Sequence, residues 1–170
     1  SLETGRFGFG GDGKQDLSHL DREDLELGLR VPNSKRISHI YEALKRGMAI
    51  EELYALTKID PWFLYNFRQI IETEREIIEH GFQGLDGEFL QYCKERGFSD
   101  RQLAFLTNTD ENDIRQLRQK LAVLPVYKLV DTCAAEFESY TPYYYSTYEA
   151  ENEAKITTGK KIVILGGGPN

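Results

Sequence analysis

Between Asp21 and Leu121 apolar residues recur every three or four positions, the spacing of helices that bury one face. The stretch "DREDLELGLR" predicts a short helix with Leu25 and Leu29 four residues apart. In "NSKRISHIYEALKRG" the stripe is Ile37, Ile40, Tyr41 and Leu44, and Gly47 supplies a left-handed stop. The longest predicted helix is "DPWFLYNFRQIIETEREIIEHG". Asp60 is its N-cap, Pro61 suits its first position and Gly81 ends it. Its expected core stripe is Phe63, Leu64, Phe67, Ile70, Ile71, Ile77 and Ile78, with Glu72, Arg75, Glu76 and Glu79 on the other side.

The pattern then returns at an offset of 50 residues, with Gly47 matching Gly97. Arg46 matches Arg96, Leu53 matches Leu103, Leu56 matches Leu106, Thr57 matches Thr107 and Asp60 matches Asp110. Ile40/Leu90, Ala43/Cys93, Met48/Phe98 and Leu64/Ile114 keep their apolar character. This predicts two copies of a three-helix unit, each too small to bury its apolar face alone, packed together around a shared core. In the second copy Ser99 and Gln102 have the spacing of a capping box and Asp110 is expected to cap the next helix. Ala49 stands where Ser99 would be in the first copy, a weaker start.

At Pro125 the period changes. "PVYKLVDTCAAEF" reads as a strand and turn. The following stretch, rich in tyrosine and acid, reads as an extended arm, and "KKIVILGGGPN" as a strand running into a glycine turn. The expected fold class is therefore mainly α: two three-helix units in one helical domain, then an extended arm and the first strand of an incomplete α/β domain. The expected divisions are a glycine-rich linker over 1–19, a helical domain over 20–124, an arm over 125–158 and a strand with its loop over 159–170. A chain that lacks an initial Met and stops after a strand is expected to be part of something longer.

A length of 170 residues supports one real core, and 40% apolar with 29% charged residues is an ordinary soluble composition. The net charge of −7 repels polyanions unless basic groups cluster. No apolar run reaches the roughly 20 residues of a membrane span. Two cysteines, Cys93 and Cys133, make no disulfide framework and suit a reducing, cytoplasmic setting.

Each candidate for chemistry has a bland competitor. "SDRQLAFLTNTDENDIRQLRQKL" has the outline of a DNA-reading helix-turn-helix with Arg115, Arg118 and Lys120. Its second helix, however, starts with Asp110, Glu111 and Asp113, which repel phosphate and suit the helix dipole instead. Tyr140, Tyr143, Tyr144, Tyr145 and Tyr148 could stack on bases, but residues 129–154 hold no Lys or Arg. Cys133 lies between Asp131 and Glu136, a field that disfavours a thiolate, and His19, His39 and His80 are all far upstream. These histidines have no metal-ligand spacing. Gly166, Gly167 and Gly168 outline a phosphate-type turn without the helix that would complete it, so they are an incomplete nucleotide-binding loop. For self-association the candidates are Leu20, Leu25 and Leu29 on the short first helix, which needs a cover from its own core or from a neighbour.

Several stretches together resemble one family, the carbamoyl phosphate synthase large subunit: "SLETG", "LRVPN", "TKIDPWFL", "RGFSD", "PVYKLVDTCAAEFE", "YSTYE" and "LGGGPN". Ser34, Leu124, Phe7 and Gly11 depart from the family's usual residues. The resemblance implies the helical connector, or oligomerisation domain, between two ATP-grasp halves, with no catalytic or metal-binding residue of its own. It implies an ATP-dependent, glutamine-hydrolysing ligase as the parent, serving arginine and pyrimidine biosynthesis and using ATP with Mg or Mn. The implied partners are the two halves of the same subunit, other large subunits and a small glutaminase subunit, with neither nucleic acid nor membrane. A helix-turn-helix DNA-binding module and an independent nucleotide-binding enzyme are the rival readings.

Overall fold

A computed structural model describes residues 5–14, 16–134, 136–137, 143–154, 158–160 and 162. The chain divides into two compact units, Ser1–Leu124 and Pro125–Asn170. The described residues hold seven α-helices, one 3₁₀ turn and two short strands. The mainly helical fold expected from the periodicity is the one observed.

The first unit is built from α1 (Arg22–Arg30), α2 (Arg36–Lys45), α3 (Ile50–Thr57), α4 (Pro61–His80), α5 (Gly87–Glu95), α6 (Asp100–Leu106) and α7 (Glu111–Lys120). The 50-residue offset is visible in three dimensions: α2, α3 and the start of α4 correspond to α5, α6 and α7. Gly47 and Gly97 share a left-handed backbone, with φ of 84° and 86°, which a side chain at Cβ would strain. Lys58 and Asn108, also 50 apart, take positive φ at matching helix ends. Thr57 and Thr107 each donate a hydroxyl back to the carbonyl four residues earlier, Leu53 and Leu103. Ile40/Leu90, Ala43/Cys93, Leu53/Leu103 and Leu64/Ile114 are all buried.

Local signals explain the helix ends. The Asp21 carboxylate accepts from the Asp24 amide at 2.8 Å and the Asp60 carboxylate from the Trp62 amide at 2.8 Å. Ser99 Oγ accepts from the Gln102 amide at 3.1 Å, which is one half of the expected capping box. The other half is not made, because the Gln102 side chain turns inward. Asp110 differs from expectation too. Its carbonyl, not its carboxylate, accepts from the amides of Asp113 and Ile114.

The principal core cluster joins α1 to α4 through Leu25, Leu29, Ile40, Ala43, Leu44, Ile50, Leu53, Leu64 and Ile71. Helix α4 packs on α2 and α3 and also on α6, so it is the element common to both repeats. Phe63 and Ile78, expected in the core stripe, are 52% and 57% exposed. They occupy the first and last turns of a 20-residue helix. Such a helix is about 30 Å long, and α2 and α3 are too short to cover its ends.

The repeats differ at one buried pair. Leu44 and Ile50 of the first copy correspond to Lys94 and Asp100 of the second, which are only 8% exposed. Lys94 Nζ donates to Asp100 Oδ1 at 2.8 Å and to the Phe98 carbonyl at 2.7 Å. Arg118 of α7 donates to both Asp100 oxygens, at 3.1 Å for the closest contacts, and to the Val123 carbonyl. The network fastens α7 to α6 where the first copy uses aliphatic packing.

The glycine-rich segment packs against the helices. Phe9 stacks on Phe67 at 4.7 Å and meets Tyr41 edge-on at 5.5 Å. Gly10 is required there, because a Cβ would lie 1.8 Å from the Tyr41 ring. Arg46 fixes the chain ahead of α1 through the carbonyls of Leu17, Ser18 and Leu20.

In the second unit β1 (Val126–Leu129) pairs antiparallel with β2 (Tyr144–Thr147), with Val126 opposite Thr147 and Leu129 opposite Tyr144. The expected strand after Pro125 is present, and part of the expected arm forms its partner. Glu153 closes the pair, accepting from the Leu129 amide at 2.8 Å and from Lys128 Nζ at 3.2 Å. Tyr140, and residues 161 and 163–170 of the expected last strand and loop, lie outside the described residues. Ile162 itself is in no strand and is 90% exposed.

The buried ion network makes Asp100→Ala more damaging than a surface change. It leaves Lys94 and Arg118 without their shared carboxylate, and the expected loss is about 3–5 kcal/mol in denaturant unfolding. A loss near zero would contradict this role.

Candidate functional site

The junction between the repeats is a buried polar site that draws on three parts of the helical unit. Glu74, in the middle of α4, is 3% exposed. The Tyr41 hydroxyl, from α2, donates to its Oε2 at 2.7 Å. Gln102 Nε2, from α6, donates to its Oε1 at 3.2 Å and to the Gly10 carbonyl at 3.2 Å. The Glu74 carboxylate therefore ties the first repeat to the second, and Gln102 extends the link to the glycine-rich segment. Close by in sequence, Asp12 is buried and paired with Arg6 Nη2 at 2.9 Å, and Arg6 Nη1 reaches Ser38 Oγ at 3.3 Å.

The electrostatics are those of a fastening. Burial pushes the Glu74 carboxyl above its ordinary value, with the hydrogen bonds from Tyr41 and Gln102 acting the other way. Burial and then Glu74 push the Tyr41 hydroxyl up. Asp12 is also pushed up by burial, but Arg6 and the backbone amides outweigh this and hold it below the usual carboxylate range. Both Glu74 oxygens are occupied by donors, an arrangement suited to holding elements together.

The thiols and imidazoles are dispersed. Cys93 is fully buried and its pKa is pushed up to about 12 by burial and by Glu76, the state of an inert core thiol. Cys133 is half-buried in a turn whose amide donates to Asp131. His39 and His80 each have Nδ1 against the carbonyl four residues earlier, Lys35 and Glu76, and His80 stacks on Phe89 at 4.2 Å. Among the described residues no group of three or more His, Cys, Asp and Glu side chains could hold a metal ion. Gly166, Gly167 and Gly168 lie outside the described residues.

The helix-turn-helix outline falls on α6 and α7. Two of its three cations are engaged with carboxylates: Arg118 with Asp100, and Arg115 with Glu111 at 3.5 Å. Glu111 and Asp113 are exposed in the first turn of α7, the wrong sign to meet a phosphate.

The self-association candidates are split by burial. Leu25 and Leu29 are 2% and 0% exposed in the module's own core, and Leu20 is half-buried. The first two take the alternative of docking on their own core, and so have no side-chain surface left to offer a neighbour. Leu27 on the outward side of α1 and Val31 at its C-cap are exposed instead, at 60% and 47%, and neither stood out in the sequence. Their four-residue spacing was the available signal. A second exposed patch opens α4: Trp62, Phe63 and Tyr65 at 65%, 52% and 42%. Trp62 and Phe63 meet edge-on at 4.9 Å.

Comparison with known proteins adds a family likeness. A family model described as the carbamoyl-phosphate synthetase large chain, oligomerisation domain, matches residues 1–122. A carbamoyl phosphate synthase large chain of Synechocystis is 48% identical over 171 residues, covering 100% of this chain and 16% of its own. One of Archaeoglobus fulgidus is 48% identical over 174 residues, with 100% and 16% covered. An arginine-specific, chloroplastic large chain of Oryza sativa is 48% identical over 170 residues, with 100% and 14% covered. The chain spans about one-sixth of the length of these relatives.

The raised carboxyl at the junction has a definite pH signature. The folded chain holds the Glu74 proton to higher pH than the unfolded chain, so this group's favourable contribution is complete below its unfolded value and is lost as pH rises through the folded one. Glu74→Gln keeps an acceptor for Tyr41 and removes the titration. Its melting temperature relative to the parent is expected to rise as pH increases above the ordinary carboxylate range. A difference independent of pH would contradict the assignment.

Proposed function

The chain belongs to the carbamoyl-phosphate synthetase large-chain oligomerisation domain family, and from that premise we propose that its helical unit is the brace and self-association module of a longer ligase subunit. The observation that carries this reading is the family match over residues 1–122, on a unit whose two repeats are fastened through one buried carboxylate. In this reading the parent makes carbamoyl phosphate with two ATP-consuming halves, one on each side of the module in sequence, aided by a small glutaminase subunit. ATP and its divalent cation belong to those halves. Cys93 and Cys133, both free thiols, suit a reducing compartment such as the cytoplasm.

The mechanism is mechanical. Labile intermediates passing between distant sites need a path of fixed length, closed to water. A close-packed helical unit deforms little under load. Helix α4 supplies the rigid axis: it is about 30 Å long and bound on its flanks by both repeats. The buried networks at Glu74 and Asp100 remove freedom that aliphatic packing alone would leave, since each polar group accepts only a few partner positions.

The joining of large chains falls to the outward side of α1. Leu25 and Leu29 anchor this nine-residue helix to the core, and Leu27 on its outward side and Val31 at its C-cap are the exposed apolar residues. The pair is flanked by Arg30–Glu26 and Arg22–Glu26 ion pairs that limit the patch.

Light scattering tests the association. The parent chain is expected to show a concentration-dependent increase in mass that Leu27→Asp with Val31→Asp abolishes, without a change in helix content. A parent that stays monomeric, or an unaffected variant, would contradict the interface. For the brace, Leu53→Ala in the full-length subunit is expected to cost about 2–5 kcal/mol of module stability and to raise ATP consumed per product formed. Unchanged coupling with a demonstrably loosened module would overturn that part.

A further inference from the structure

The internal repeat provides its own control for the exposed aromatics of α4. Trp62, Phe63 and Tyr65 correspond to Asn112, Asp113 and Arg115 of α7, 50 residues on. The residue between them is buried in both copies, Leu64 and Ile114, each at 0% exposure. The same helix face in the same fold is thus satisfied by an amide, a carboxylate and a guanidinium in one copy. In the other it carries three partly exposed aromatic rings, with the Arg68 guanidinium over that of Tyr65 at 4.8 Å. Nothing in the helix, its cap or its core contact requires aromatics at these positions.

At 100° per residue Trp62 lies about 160° round the helix from Leu64, with Phe63 and Tyr65 on its two sides. Trp62 and Tyr65 therefore point away from the core, and Phe63 extends the patch round the first turn, at the helix end that α2 and α3 leave uncovered. At these exposures the three rings leave roughly 350 Å² of aromatic surface uncovered. That is the size of the largest apolar patch on an ordinary monomer, a patch that is often functional. It is well short of the roughly 800 Å² per partner of a stable free-standing complex. With an equal area opposite, it matches the roughly 600–1,500 Å² of an interface between domains of one chain, where the tether supplies the effective concentration. The length of the relatives points the same way, since about five-sixths of a relative's chain lies outside the matched region.

We infer that the Trp62–Phe63–Tyr65 face of α4 is the docking surface for a flanking domain of the same large chain, distinct from the α1 face. This rests on the reading of residues 1–170 as one module of a longer subunit. The two faces then divide the labour: α1 meets another subunit, and the start of α4 holds the module to its own chain. Trp62 is the only tryptophan here and sits at the centre of the face.

Hydroxyl-radical footprinting read by mass spectrometry tests this on the 170-residue chain and the full-length large chain. Oxidation at Trp62, Phe63 and Tyr65 is expected to fall about fivefold or more in the full-length chain at every concentration, and to be high in the 170-residue chain. Equal labelling in both would overturn the inference. Protection that appears in the 170-residue chain and grows with its concentration would assign the face to a second copy and also overturn it. Light scattering on the same samples separates the two proposals. A monomeric full-length chain with a protected face removes only the self-association on α1, and an oligomer with an unprotected face removes only the present inference. The second repeat's residues supply a folding control: Trp62→Asn with Phe63→Asp and Tyr65→Arg is expected to keep the melting temperature of the 170-residue chain within about 3 °C. A fall of about 10 °C or more would show that the aromatics serve the module's own fold, and would overturn the inference.

Discussion

A carboxylate in the middle of a long helix is a liability unless its surroundings satisfy it. Glu74 is almost completely buried, and ionised groups in such a place lose hydration that only well-placed donors restore. Here the donors come from different parts of the chain: Tyr41 from the first repeat and Gln102 from the second, with Gln102 also holding the Gly10 carbonyl. The arrangement makes each repeat's position a condition for the other's stability. Apolar faces alone allow small slides and rotations; a two-sided hydrogen-bonded carboxylate does not. Much else in the helical unit follows from this, including the inward turn of Gln102 at a helix start and the glycine at position 10.

The two repeats have diverged around that node according to what each must do. The first copy is aliphatic at Leu44 and Ile50, and the second uses Lys94, Asp100 and Arg118 in their place. A short α7, only ten residues long with Ile114 as its buried residue, has little apolar area to hold it. The ion network supplies the missing attachment through Arg118. Arg46 and Arg96 show the same divergence. The former binds the carbonyls ahead of α1, and the latter lies over the Tyr92 ring at 3.6 Å. Conserved geometry with changed chemistry is what a duplicated unit acquires when its copies face different neighbours.

The repeat itself was legible, because its signals are local: periodic apolar residues, glycines at helix ends and caps at Asp60 and Ser99. The helix and strand starts around Asp21 and Pro125 were legible for the same reason. What escaped was non-local. Glu74, Lys94 and Asp100 look like surface charges in a one-dimensional reading, since their partners lie between 6 and 33 residues away. The glycine-rich segment reads as a linker because its purpose, close approach to Tyr41 and Phe67, depends on side chains far along the chain. Leu25 and Leu29 were visible as a stripe, but a stripe does not say whose core it enters. Tyr144 and Tyr145 gave no clear strand signal; their pairing depends on β1 and on Glu153.

Locking the repeats together is the claim on which a bracing role rests, and native-state hydrogen exchange on the helical unit tests it most directly. If the Glu74 junction makes one cooperative body, the slowest amides of α3 and of α6 open with the same free energy and respond equally to denaturant. If the amides of α5 to α7 exchange through a separate opening of markedly lower free energy, with α1 to α4 still protected, the repeats are two bodies and the bracing account is wrong.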